Sequence, residues 1–174
     1  VPAIGMKAFS EEIKSGTIAL LFTKPISIWE LILGQFLGML FLISCSLFTS
    51  FIYAYVVIEL KFEQDVFDWG AFWGSFLGLF FLAALFSSIT LWCSCFSKNQ
   101  VVAFLAAVLL CFLHFYGWGE ASLYFSDNTV YSFFNAVGIS SHFNQMSKGI
   151  IDSKDLIYFA GQLFLFLFLA VNQL

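Results

Sequence analysis

The chain has no arginine: all seven of its basic residues are lysine. Charged residues of both signs make up only 10% of its 174 residues, against roughly 25% in an ordinary soluble domain. That shortage leaves too little polar surface to coat a water-soluble globule. It also excludes a basic nucleic-acid-binding face, which needs clustered cations. Catalytic groups are equally scarce. There are two histidines, and no zinc-protease His-Glu-x-x-His, no Gly-x-Ser-x-Gly and no phosphate-cradling Gly-x-x-x-x-Gly-Lys sequence. The chain therefore lacks the residues to hydrolyse ATP by itself. Cys45, Cys93, Cys95 and Cys111 sit in apolar segments and read as small hydrophobes. The Cys93-x-Cys95 spacing is too tight for zinc and has no second pair. No catalytic site, metal or cofactor is expected.

What is abundant is apolar. Hydrophobic residues make up 61% of the chain, 25 residues are Phe, and the mean hydropathy is +0.93. The physical reading is an integral membrane protein with lipid as its solvent. Four stretches reach the roughly 20 residues a spanning helix needs. They are 31–58, 69–96, 101–118 and 156–174. The first two exceed that length, which predicts tilt or extension beyond the bilayer. No secretory signal pattern opens the chain. Val1-Pro-Ala-Ile-Gly-Met6 reads as the end of an earlier apolar helix, and Leu174 falls inside an apolar run. The expectation is one transmembrane domain, 1–174, that is N-terminally incomplete.

The connections carry the remaining signals. Ser27-Ile-Trp-Glu30 has the form of a capping box, and Asp152 and Asp155 are placed to cap the last span. Residues 120–150 are too long for a simple loop. They predict two short helices, about 122–135 and 140–148, with Gly149 as a helix stop. Counting lysines, Lys7, Lys14, Lys24 and Lys98 share one side of the membrane against Lys61, Lys148 and Lys154 on the other. That bias is weak, and favours a cytoplasmic side for the first group. Gly34 and Gly38, and Gly70, Gly74 and Gly78, recur at four-residue spacing. Such small faces allow close helix packing, within the chain or against another subunit.

The spans hold no acid or base in their central parts, so neither an intramembrane enzyme nor a proton or sodium relay is indicated. His114 reads as a packing residue, and His142 has no clear partner. Functional weight falls on residues 7–26. Phe9, Glu11 and Glu12 precede a break at Gly16-Thr17; an apolar stretch containing Leu21 follows, up to Pro25. A helix that merely lay on anionic lipid would avoid two adjacent acids. Acids on an exposed turn suit the basic residues of a soluble partner.

The pattern Phe9-Ser-Glu-Glu12, Ser15-Gly-Thr17, Leu20-Leu21, Thr23-x-Pro25-Ile-Ser27, Glu30 and Gly34 resembles the ABC-2 type permeases of ABC transporters. The stretch from Phe143 to Phe159 is similar to the gliding-motility-associated (GldF-type) subgroup. Where that pattern leads one to expect Lys after Gly34, the residue here is Gln35. The resemblance implies an all-α permease subunit of six membrane helices, of which the four spans would be the third to sixth. It implies a cytoplasmic coupling segment at 7–26 and short extracytoplasmic helices at 120–150. It implies a bacterial inner-membrane location and a non-catalytic role. The partners would be a cytoplasmic ABC ATPase subunit and a second, identical or related permease subunit, with membrane lipid and no nucleic acid. Export driven by ATP and linked to gliding motility is the implied function. The alternative is a membrane scaffold or assembly component that moves no solute.

Overall fold

A computed structural model describes residues 1–17, 26–60, 67–123 and 128–174. Every regular element among them is helical. Two short helices, α1 (Pro2–Gly5) and α2 (Ser10–Ser15), precede α3 (Ile28–Phe48) and α4 (Phe51–Leu60). Then come α5 (Trp69–Phe96) and α6 (Gln100–Phe112), the latter continued by a π-helical turn at Leu113–Gly117 and by α7 (Trp118–Leu123). Next are α8 (Asn128–Val137), α9 (Ile139–Ser147) and α10 (Ser153–Gln173). Four helical stretches are long and apolar enough to cross a membrane: Ile28–Leu60, Trp69–Phe96, Gln100–Glu120 and Ser153–Gln173.

Local chemistry sets the boundaries. At the start of α3 the Glu30 N–H donates to Ser27 Oγ, and the Ser27 N–H donates to a Glu30 carboxylate oxygen at 2.9 Å. Both halves of the capping box are therefore made. Asp68 and Asn99 cap α5 and α6 with their side chains. Between α3 and α4, the Thr49 and Ser50 hydroxyls donate back to the carbonyls of Ser46 and Leu47, each at 2.6 Å. Such back-bonding bends helices. It divides a 33-residue stretch that, at about 1.5 Å per residue, outruns a hydrocarbon core of roughly 30 Å.

Helix α5 is the hub. It packs against α3, α6, α10, α9 and the α1–α2 pair. Half of its span is buried inside the chain, while the other three spans stand mostly uncovered. Lipid is as apolar as a leucine side chain, so association between spans relies on close packing rather than on escape from water. Most buried residues of α5 suit that need: beside Leu85, Ile89 and Leu91, the others (Gly74, Gly78, Ala84, Ser87, Ser88, Thr90, Cys93, Ser94 and Cys95) are small. The hydroxyls of Ser87, Ser88 and Thr90 donate to carbonyls of their own helix, at 2.8, 2.7 and 2.6 Å. None of these three is left without a partner in the apolar interior. Large apolar side chains such as Leu37, Phe41 and Leu42 on α3 face outward, which is ordinary surface in lipid.

Two packed clusters share α5, their buried residues interleaving along its C-terminal half. One gathers Phe9, Ile32, Phe36, Met39 and Leu167 around Ala84, Leu91 and Cys95. The other gathers Ala107, Ile139, Met146 and Phe159 around Leu85, Ile89 and Cys93. The short helices of the 120–150 region are shifted from expectation: α7 continues the third span to Leu123, and α8 begins at Asn128. The turn after α9 does close at Gly149, whose φ is +80°.

Candidate functional site

The N-cap position of α2 is Phe9, a residue that cannot cap a helix with its own side chain. The cap comes from α5. The backbone N–H groups of Phe9 and Ser10 both donate to Ser94 Oγ, at 2.9 and 3.1 Å, across 84 or more residues of sequence. The Ser94 hydroxyl in turn donates to the Met6 carbonyl at 3.4 Å, and the Ser10 hydroxyl donates to the same carbonyl. The Phe9 side chain is fully buried in the cluster with Ile32, Phe36, Met39 and Leu91. Just before it, Gly5 lies so close to its neighbours that a Cβ there would sit 2.6 Å from Thr90 Cγ2 and 2.7 Å from Met39 Sδ. Gly5, Phe9 and Ser10 thus seat the α1–α2 segment on α5 and α3.

The other face of α2 is open. Glu11, Lys14, Ser15, Gly16 and Thr17 are exposed. Gln100, at the start of α6, donates from Nε2 to a Glu11 carboxylate oxygen at 3.2 Å. The helix ends at Gly16 with φ +75°, a left-handed stop that suits glycine. The Thr17 and Ser15 hydroxyls lie 2.8 Å apart and close the turn. Glu12 is half-buried. One of its carboxylate oxygens is enclosed with no hydrogen-bond partner, and burial raises its pKa above the usual carboxylate range. Glu11 and Glu12 line a cavity of about 360 Å³ with Lys7, Gln35 and Met39. The remaining two coupling candidates, Leu21 and Pro25, lie outside the described residues.

The two glycine series differ in what they meet. A Cβ on Gly74 would lie 2.2 Å from the Met146 carbonyl oxygen and 2.8 Å from Gly149 Cα; one on Gly78 would lie 3.3 Å from the Phe143 ring. Gly70 faces Gly149 from the other side, since a Cβ on Gly149 would lie 2.7 Å from the Gly70 carbonyl carbon. That face of α5 therefore seats α9 and the turn that follows it. Gly34 and Gly38 on α3 meet nothing within 4 Å, so their face is uncovered among the described residues.

His142 corrects a sequence-based expectation, because it has a partner. Its Nδ1 lies 2.6 Å from Asp155 Oδ1, and its ring stacks on Tyr158 with centroids 4.1 Å apart. Asp155 is accordingly not a surface cap. It is 2% exposed, and the capping of α10 falls to Asp152, whose side chain accepts from the Lys154 N–H at 3.2 Å. This carboxylate–imidazole contact sits at the first turn of the last span, away from its middle. His114 packs in the π-helical turn, where Trp118 Nε1 donates to its Nδ1 at 3.0 Å. Among the described residues, no three His, Cys, Asp or Glu side chains converge as a metal site.

Ser94, Gly5 and Gln100 escaped the sequence reading. Ser87, Thr90 and Ser94 recur at intervals of three and four in an otherwise apolar helix. That spacing puts hydroxyls on one face, and it was the available signal.

A profile described as ABC-2 family transporter protein matches residues 2–172. No curated protein matches the chain. The chain belongs to the ABC-2 family: it is a multi-pass membrane protein of a class whose members are typically non-catalytic subunits that pair with ABC ATPases.

Proposed function

We propose that residues 7–26 of this ABC-2 family member form a cytoplasmic coupling segment, through which a separate ABC ATPase drives an export-type permease of the bacterial inner membrane. One observation carries the reading. The seated face of α2 is locked to α5 through Ser94 and Phe9, while its other face presents Glu11, Gly16 and Thr17 to solvent. A soluble protein gripping the open face would push on the helix that contacts every other span. The four spans would be the third to sixth of six. Residues 120–150 would lie on the extracytoplasmic side. A second permease subunit, identical or related, would complete the pathway, and the uncovered Gly34–Gly38 face suits such a neighbour. ATP closes the ATPase pair, and that energy moves the permease only if the ATPase binds its two states unequally.

The gliding-motility reading rests on the stretch from Phe143 to Phe159 alone. Within the structure that stretch forms α9, its turn and the start of α10, on the opposite half of α5 from the coupling segment.

The test is co-purification of the permease with candidate ATPases from the same genome, with ATP hydrolysis measured with and without the permease. We expect a stable complex with altered hydrolysis, lost in Glu11→Ala/Glu12→Ala while the permease stays folded. If no ATPase binds, or if that double variant stays fully coupled, a membrane scaffold becomes the better account. Cargo flux in vesicles then separates the two.

A further inference from the structure

The closest pair of titratable side chains among the described residues is His142 with Asp155, and its hydrogen-bond geometry fixes how many protons it holds. His142 Nε2 lies 2.9 Å from the Ala136 carbonyl oxygen. A carbonyl only accepts, so Nε2 carries a proton and donates it. On the other side of the ring, Nδ1 lies 2.6 Å from Asp155 Oδ1. With Nε2 already protonated, a neutral imidazole has only a lone pair at Nδ1. Facing an ionised carboxylate, it would set lone pair against lone pair at hydrogen-bond distance. A second proton must therefore sit between Nδ1 and Oδ1. Whether it rides on the nitrogen or the oxygen, the pair holds two protons and is neutral overall.

The surroundings make that proton matter. Asp155 is 2% exposed, and its other oxygen, Oδ2, is buried without a partner. A carboxylate left there with neither proton nor cation is costly, and the cost is relieved by opening the site to water. The Tyr158 ring stacks on His142, and its hydroxyl donates to the Val137 carbonyl at 2.5 Å. The first two turns of α10 thus hold the α8–α9 junction through Ala136, Val137 and His142. Water reaches the pair, because His142 is 16% exposed and lines an open cavity of about 470 Å³. Other titratable groups near the site come from several elements. Tyr131 on α8, and Asp152 and Lys154 at the start of α10, line the same cavity. Lys148 follows α9, α7 carries the exposed Glu120, and the π-helical turn carries His114 and Tyr116. The face of α5 against α9 presents glycine, and α5 has no charged residue along its whole length.

We propose that His142 and Asp155 form a proton-binding site whose occupancy latches α8 and α9 onto the last membrane span. The step is the exchange of one proton with water, and no bond between heavy atoms changes. With the proton bound, α9 is held against α10 and stays in its glycine seat on α5. When the proton leaves as pH rises, the ring keeps one N–H for two acceptors, so it gives up either the Asp155 carboxylate or the Ala136 carbonyl, and α9 loosens. The inference stands on this geometry and does not require the coupling function proposed above.

The test uses the membrane-embedded protein in lipid nanodiscs, labelled with nitrogen-15 at histidine. Only two histidines are present, so the His142 ring signals can be assigned with one substitution at His114. Hydrogen exchange along 139–147, corrected for its intrinsic pH dependence, reports the latch. We expect the His142 signals to change in a single step as pH is raised. Exchange in α9 should become at least about tenfold faster on its alkaline side. Asp155→Asn should abolish the change in exchange and keep α9 protected, because the amide can face Nδ1 with its N–H or, when the ring is protonated, with its oxygen. Protection of α9 that is indifferent to pH in the unsubstituted protein would overturn the proposal. So would an exchange transition that survives in Asp155→Asn.

Discussion

The two halves of α5 hold their short helices by opposite means. Towards its C-terminal end, α5 offers a side chain: the Ser94 hydroxyl accepts two backbone N–H groups from the start of α2. Nearer its N-terminal end it offers the absence of one, and at Gly74 and Gly78 the backbone of α9 comes into direct contact. A hydroxyl is a local, directional contact that can break and re-form as a helix shifts. A glycine seat is steric, and it is lost all at once when the backbones part. Each half also shelters a carboxylate with one unpartnered oxygen, Glu12 in the first and Asp155 in the second. Asp155 has an imidazole beside it, whereas among the described residues no such ion pair stands at Glu12. The adjustable seat lies where we place the ATPase, and the rigid seat lies where we place the proton latch.

The contrast can be broken most severely at Gly74. Gly74→Val puts branched carbon where a Cβ would already lie 2.2 Å from a backbone oxygen of α9. Overpacking of this kind against backbone costs at least about 3 kcal/mol. We expect a large loss of thermal stability in detergent, with hydrogen exchange raised along α9 and unchanged at α2. The reciprocal break is Phe9→Ala. Emptying a fully buried phenylalanine costs about 3 kcal/mol, the low end for such a truncation, because lipid rather than water surrounds much of the bundle. Here the raised exchange should fall on 8–15 and spare α9.

Smaller changes sharpen the comparison. Ser94→Ala removes the acceptor for two N–H groups, and capping losses of that type cost about 1 kcal/mol. We expect faster exchange at Phe9 and Ser10 with the fold intact. Smallest is the effect at Glu12. Its pKa is raised by burial, so its contribution to seating α2 is fully present below the ordinary carboxylate range. That contribution is lost as pH rises through the raised value. Glu12→Gln should flatten this part of the pH profile of α2 exchange. Gln35→Lys, which sets a cation in the same cavity, should pull the Glu12 pKa back down, measured by carbon-13 carboxyl shifts.

The fold was legible in the sequence because its main signals are local. Apolar runs marked the four spans to within a few residues, and Ser27-x-x-Glu30 and Gly149 marked a start and a stop. The coupling candidates were legible in part. Glu11 and Gly16 stood out as charge and break, but what holds α2 in place did not. Ser94 lies more than 80 residues from the helix it caps, and a serine in an apolar helix more commonly bonds to its own backbone, as Ser87 does here. His142 and Asp155 were hidden for a related reason. Thirteen residues and a turn separate them, and Asp155 sits in a first turn where an acid reads as a dipole partner. Long-range pairing is decided by how α9 and α10 meet on α5, and no local pattern encodes that.

The seat of α2 on α5 is best tested by separating docking from transmission. Ser94→Ala leaves Glu11, Gly16 and Thr17 on the open face but weakens the link to α5. The measurement is ATP hydrolysis by the co-purified ATPase, with the unsubstituted permease and with Ser94→Ala. We expect the ATPase to bind both equally while the permease-dependent change in hydrolysis shrinks several-fold in the variant. Equal binding with an undiminished change would contradict the claim that motion passes from α2 to α5 through this seat.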